Sequence, residues 1–153
     1  MELTTRTIIE AESTSQSQTE LLGYAFANKL KKGDFVAMYG DLGAGKTAFV
    51  RGVARKLCPE AFVSSPTYTI VNEYSDDKNT IYHFDMYRID SFDDLLSIGY
   101  YDYLDGGICI AEWCEKIEDD LPLPRYVVVI DKTGEESRSV VISEITKEED
   151  NEK

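Results

Sequence analysis

The chain has 153 residues, 42% of them hydrophobic, and a formal net charge of -13. That length builds one domain with a real core, and that charge argues against tight binding to naked RNA or DNA, whose phosphates it repels. Cys58, Cys109 and Cys114 include no CxxC pair and His83 is the single histidine, so neither a structural zinc site nor a disulfide framework is expected.

In chain order, residues 6–9 read as an edge-like strand. Ser17 and Glu20 have the spacing of a capping box, and Leu21, Leu22, Ala25, Phe26 and Leu30 then form one apolar helical stripe. Gly33 and Asp34 turn the chain into residues 35–39 (FVAMY), a short apolar run suited to a buried strand. Residues 47–57 are predicted to be a helix with Val50, Val53, Ala54 and Leu57 inward, stopping at Cys58-Pro59. Residues 69–74 and 80–87 read as two strands of a hairpin around the polar turn at 76–79. Ser91 and Asp94 can start a short helix that ends near Gly99, and residues 107–112 are a further buried strand. Residues 119–124 read as a loop, and 126–130 and 138–142 as two strands around a turn at 132–137. Strand–loop–helix units plus a hairpin predict an α/β fold, a single P-loop NTPase-type domain with a mixed β-sheet flanked by helices. The domain is expected over residues 1–145, with an acidic C-terminal tail at 146–153. The first five residues have no basic stretch followed by an apolar one, and no apolar run approaches a membrane span. A reducing cytoplasm is the expected location.

Residues 40–47, Gly-Asp-Leu-Gly-Ala-Gly-Lys-Thr, match the phosphate-binding pattern G-x-x-x-x-G-K-[ST] completely. Glycines let successive backbone N–H groups turn inward around a phosphate, and the following helix adds its positive dipole end. The expected nucleotide contacts are Asp41, Leu42, Gly43, Ala44, Gly45, Lys46, Thr47 and Ala48. Lys46 reaches the β- and γ-phosphates, and the Thr47 hydroxyl binds Mg²⁺.

Such a loop needs an acid at the end of a nearby strand. Glu112, closing Ile108-Cys109-Ile110-Ala111-Glu112, is placed to bind the metal directly, to bind it through water, or to polarise the attacking water. Asp85 is the second candidate acid, and alternation puts His83, Asp85 and Tyr87 on one strand face. His83 then orients Asp85, senses the γ-phosphate, or is simply a satisfied structural histidine. Arg88 answers phosphate charge or lies on the surface. Residues 64–68, with Ser65 and Thr67, fall where phosphate-loop proteins place a switch-like segment, although a plain proline turn reads equally simply. Trp113 follows Glu112, where an indole stacks on a nucleobase or joins the core. The absence of N-K-x-D or T-K-x-D and of an arginine-rich lid favours ATP over GTP and hydrolysis over phosphoryl transfer.

Together these segments resemble the bacterial TsaE ATPases of tRNA threonylcarbamoyladenosine biosynthesis, over residues 13–142. The resemblance rests on GDLGAGKT at 40–47, SPTYTIVNEY at 65–74, HFDMYR at 83–88, and IAEWCE at 110–115 followed by Leu121-Pro122. It implies a weak, partner-dependent ATPase that works with the TsaB–TsaD complex, using ATP and Mg²⁺ and meeting tRNA through that complex. It also implies phosphate and metal roles for Lys46 and Thr47, an acid near the metal in Glu112, and Trp113 against the adenine. Thr67 falls in the switch-like segment and Asp85 in the HxD motif. Cys114, Ala48 and Met86 depart from the family's usual residues, and only Cys114 bears on how Trp113 sits. A small-molecule P-loop kinase and a non-hydrolysing nucleotide-binding module are the alternative readings.

Overall fold

The computed structural model describes residues 2–41, 43–61 and 70–147. Leu42, Ser65 and Thr67, and most of the acidic tail, lie outside the described residues. Seven strands form one mixed sheet: β1 (Leu3–Ser13), β2 (Phe35–Tyr39), β3 (Val71–Ser75), β4 (Thr80–Asp85), β5 (Ile108–Glu112), β6 (Arg125–Lys132) and β7 (Arg138–Lys147). Their spatial order is β1-β7-β6-β2-β5-β4-β3. The four inner strands β6, β2, β5 and β4 run parallel, and antiparallel pairs close each edge. FVAMY and ICIAE are apolar on both faces because both faces of the central sheet are covered.

One face packs Val36, Met38, Ile81, Ile108, Ile110 and Val128 against helices α1 (Gln16–Phe26) and α2 (Lys46–Leu57). The other packs Phe35, Ala37, Phe84, Cys109 and Ala111 against Leu95 of α3 (Phe92–Ser97), Tyr100 of α4 (Tyr100–Tyr103) and Ile117 of a 3₁₀ turn over Cys114–Asp120. The expected α/β domain with a mixed, helix-flanked sheet is therefore the one that forms.

Several boundaries differ, each for a tertiary reason. Strand β1 is eleven residues rather than four, because β7 pairs with it from Leu3↔Lys147 to Ser13↔Arg138. The same pairing draws Thr146 and Lys147 into the sheet from the segment expected as tail. Helix α1 is capped by Ser15, not Ser17: Ser15 Oγ accepts from the Gln18 N–H at 3.1 Å, and Gln18 Oε1 accepts from the Thr14 N–H at 2.7 Å. Its inward residues are Thr19, Gly23 and Phe26, whereas Leu21 is 55% exposed. The helix is rotated to bring Gly23 against α2. A Cβ on Gly23 would stand 2.1 Å from the Phe49 carbonyl oxygen, and one on Gly52 only 1.8 Å from that of Glu20. Strand β4 ends at Asp85 rather than at residue 87, because Asp85 turns back on the chain. Part of the expected loop at 119–124 belongs to the 3₁₀ turn, which buries Cys114 and Ile117.

Candidate functional site

Strand β2 ends in the parallel middle of the sheet, and the chain leaves it through three glycines with positive φ: Gly40 at 141°, Gly43 at 81° and Gly45 at 106°. At Gly40 a Cβ would lie 2.3 Å from the Ile130 carbonyl oxygen, so only glycine lets the loop press against β6. Gly45 is the N-cap of α2 and offers the first-turn N–H groups no side-chain acceptor. A turn of this kind at the positive end of a helix of twelve residues has the geometry to cradle an anion. Lys46 is buried at its mouth and donates from Nζ to the Gly40 carbonyl at 2.6 Å. Thr47 lies half-buried on the same first turn, Ala44 and Ala48 are buried beneath the loop, and Asp41 and Gly43 are exposed.

Sheet register brings the acids to this loop. Met38, Glu112 and Asp85 stand abreast at the C-terminal ends of β2, β5 and β4. Glu112 is buried, with Oε1 3.8 Å from Lys46 Nζ and Oε2 2.5 Å from His83 Nε2. His83 is fully buried, and its Nδ1 lies 3.1 Å from the Tyr74 hydroxyl. The histidine thus partners Glu112 and not Asp85. Asp85 Oδ1 instead accepts from the Tyr87 N–H at 3.0 Å, and among the described residues it makes no ion pair. Arg88 is exposed.

Trp113 leaves the strand in the left-handed region at φ 61°. The turn swings its ring to 4.7 Å from Lys46 Nζ and 5.3 Å from the Tyr87 ring, edge to face. Cys114 is buried behind it and donates from Sγ to the Ala111 carbonyl at 3.4 Å. Burial, reinforced by the charge of Glu115, raises its thiol pKa well above the ordinary range, so it packs as a neutral core group.

Two residues joined to this site were not among those the sequence singled out. Tyr74 is one. Arg138 is the other: Nε donates to the Ala44 carbonyl at 3.0 Å and an Nη to that of Gly43 at 3.3 Å. The remaining Nη donates to the carbonyls of Gly134, Glu135 and Ser137. Arg138 clasps the loop from 94 residues away, and no local motif signals that contact. A cleft runs beside the loop at this point, lined among others by Gln16, Thr19, Gly45, Ala48, Glu135 and Arg138.

These residues fit a magnesium nucleotide. Mg²⁺ in such sites takes one or two protein oxygens and completes its octahedron with phosphates and water. Thr47 and Glu112 would supply that number. Among the described residues there is no group of three or more His, Cys, Asp or Glu that could hold a metal ion.

The sequence model of "Threonylcarbamoyl adenosine biosynthesis protein TsaE" matches residues 13–140. The chain belongs to the TsaE family. It is similar to the tRNA threonylcarbamoyladenosine biosynthesis protein TsaE of Bacillus subtilis, 36% identical over 134 residues, covering 87% of this chain and 84% of that one. The protein of the same name in Treponema pallidum is 37% identical over 119 residues, or 77% of this chain and 86% of the relative. The crystal structure of Bacillus subtilis YdiB superposes with a TM-score of 0.74 at 30% identity, covering 94% of this chain and 88% of that one. The family assignment and the phosphate-loop geometry therefore fall on the same residues, because the match spans β2, α2, β4 and β5. No helix among the described residues of this TsaE-family chain is long and apolar enough to cross a membrane.

Proposed function

We propose that this TsaE-family chain is a cytoplasmic ATP-binding and ATP-hydrolysing accessory protein in tRNA threonylcarbamoyladenosine formation. It acts with the TsaB–TsaD complex and is a weak ATPase alone. The observation that carries the reading is the buried Lys46 ammonium at the head of α2, held between the Gly40 carbonyl and the Glu112 carboxylate. A buried cation at a helix N-terminus is built for polyphosphate.

In this reading the phosphates take the place of the Gly40 carbonyl on Lys46, and the first-turn N–H groups hold their oxygens. Thr47 and Glu112 would hold Mg²⁺, which when bound neutralises charge on the transferring phosphoryl group. Lys46 offsets charge on the same oxygens, while Asp85 stands at the neighbouring strand end, able to reach a water. The nucleoside end extends into the cleft beside Ala48 and Arg138, with Trp113 at the terminal-phosphate end beside Lys46. The resemblance implies that the indole lies against the adenine; in this reading its approach to Lys46 sets it at the phosphate end instead. The acidic surface suits docking on protein, with tRNA held by the complex.

The test is phosphate release from Mg-ATP with and without the cognate TsaB–TsaD pair. Negligible release alone that rises sharply with the pair is expected. Release indifferent to the pair would remove the partner assignment. Transfer of labelled γ-phosphate to a metabolite, with little free phosphate, would replace hydrolysis by a kinase activity.

A further inference from the structure

We infer that His83 and Tyr74 are positioning residues that fix the Glu112 carboxylate for the metal and the reacting water. This inference rests on the nucleotide-hydrolysing reading of the site. The three side chains form a buried line across β3, β4 and β5: Tyr74 hydroxyl to His83 Nδ1 at 3.1 Å, then His83 Nε2 to Glu112 Oε2 at 2.5 Å. Tyr74 is 4% exposed, His83 0% and Glu112 6%. Their neighbours on the same sheet face, Ile81, Ile108 and Ile110, are apolar core residues. Polar groups set into such a layer cost free energy unless every donor finds an acceptor. A structural purpose alone would be met by more apolar side chains.

The donors and acceptors define the line's direction. An ionised carboxylate only accepts, so His83 Nε2 carries the proton it shares with Glu112. Nδ1 shares a hydrogen bond with the Tyr74 hydroxyl, so the tyrosine holds the ring's orientation from the far side. With Oε2 held in this way, Oε1 faces Lys46 at 3.8 Å, beyond hydrogen-bond distance. That oxygen keeps its lone pairs for a ligand arriving between lysine and acid. A glutamate on one side chain torsion from solvent would swing freely; this one is anchored on the far oxygen and open on the near one.

The experiment compares wild type with His83→Leu, His83→Gln and Tyr74→Phe, using Mn²⁺ as the metal probe. Mn²⁺ affinity in the presence of ADP is read by electron paramagnetic resonance, ADP affinity without metal by calorimetry, and turnover with the TsaB–TsaD pair by phosphate release. Partners behind a metal-binding group typically contribute ~10–100-fold in metal affinity or activity. His83→Leu is expected to lose Mn²⁺ affinity and turnover by about that factor, with metal-free ADP affinity within about twofold of wild type. His83→Gln, whose amide N–H reaches the carboxylate, recovers most of the loss. Tyr74→Phe, nearly isosteric, loses a few-fold in the same two quantities. Unchanged Mn²⁺ affinity in His83→Leu, or equal damage in His83→Gln, overturns the inference. Should His83→Leu not fold, Tyr74→Phe decides, and wild-type Mn²⁺ affinity in that variant overturns it. Wild type without partner-stimulated turnover removes the hydrolysis reading, and the Mn²⁺ comparison still decides whether Glu112 is positioned by the histidine.

Discussion

Lys46 is buried at 7% exposure beside a buried acid, and such a cation is retained only where it has charge to meet. On the proposed reading, replacing it by alanine removes the ammonium that answers the β- and γ-phosphates. Lys46→Ala is expected to lower partner-dependent ATP turnover by ~10²–10³. Far-UV circular dichroism should still report the wild-type fold with a cooperative melt; undiminished turnover would end the phosphate-site reading. Arg138 acts on the same loop from outside. Its planar fork supplies donors to the Ala44 and Gly43 carbonyls and to the β6–β7 turn at once, which one lysine ammonium cannot reproduce. Arg138→Ala should weaken Mg-ADP binding by about tenfold in calorimetry, taking ~1.4 kcal/mol as a low value for hydrogen bonds from a charged group. Arg138→Lys should not restore it. Trp113 is the only tryptophan of the chain, so its emission reports one place. With the ring 4.7 Å from the Lys46 ammonium, emission should differ between Mg-ADP and a non-hydrolysable Mg-ATP analogue. Equal spectra for the two, both different from the free protein, would return the indole to the base.

At the scale of elements, the crossing of α1 over α2 is set by two glycines. Distances of 2.1 Å and 1.8 Å from an added Cβ to backbone oxygen leave no room for any larger side chain without separating the helices. Gly23→Ala and Gly52→Ala should each destabilise by about 1–3 kcal/mol. Because α2 carries Lys46 and Thr47, Gly52→Ala should also weaken nucleotide binding, whereas Leu21→Ala, on the exposed side, should change neither. Thermal melts and calorimetry on the three variants check this; a wild-type melting temperature in Gly52→Ala would contradict the packing. The same crossing explains what was hard to read locally. The apolar stripe of α1 and the Ser17–Glu20 spacing suggested one helical phase, but burial follows the close approach at Gly23, and Leu21 is left exposed. Glu20, read as a capping residue, instead pairs across the crossing with Arg51 and Arg55. Where a strand is buried on both faces the local pattern sufficed, as for FVAMY and ICIAE. Where length depends on a partner, as in β1 against β7, it did not.

For the molecule as a whole, three thiols lie at zero exposure, and none pairs in a disulfide. Burial, with some repulsion from Asp76, pushes the Cys58 thiol from 9.0 up to about 11. Burial, with Asp105, pushes Cys109 from 9.0 up to about 12. The buried Tyr100 hydroxyl is shifted in the same direction, chiefly by burial. A group whose folded pKa is raised favours its protonated form in the native state. The stability it contributes is complete below the unfolded value and is lost as pH rises through the folded one. The urea midpoint should therefore fall between pH 9 and about 12, and less steeply in Cys58→Ala/Cys109→Ala than in wild type. A flat midpoint across that window would contradict the burial of these thiols.

By itself the sequence determined the phosphate loop, the strand and helix on either side of it, the acids at 85 and 112, and the family. These are local facts, since spacing along the chain sets which N–H groups, hydroxyl and ammonium share one turn, and apolar runs mark the buried strands. Only the tertiary structure decided which of those residues meet. Parallel register set Glu112 beside Asp85 and the β2 end, and burial joined His83 to Glu112 rather than to Asp85. The left-handed turn at Trp113 carried the indole to Lys46, and the start of β7, paired between β1 and β6, delivered Arg138 to the loop. Such contacts depend on distances between elements far apart in the chain, which packing fixes and local spacing does not encode.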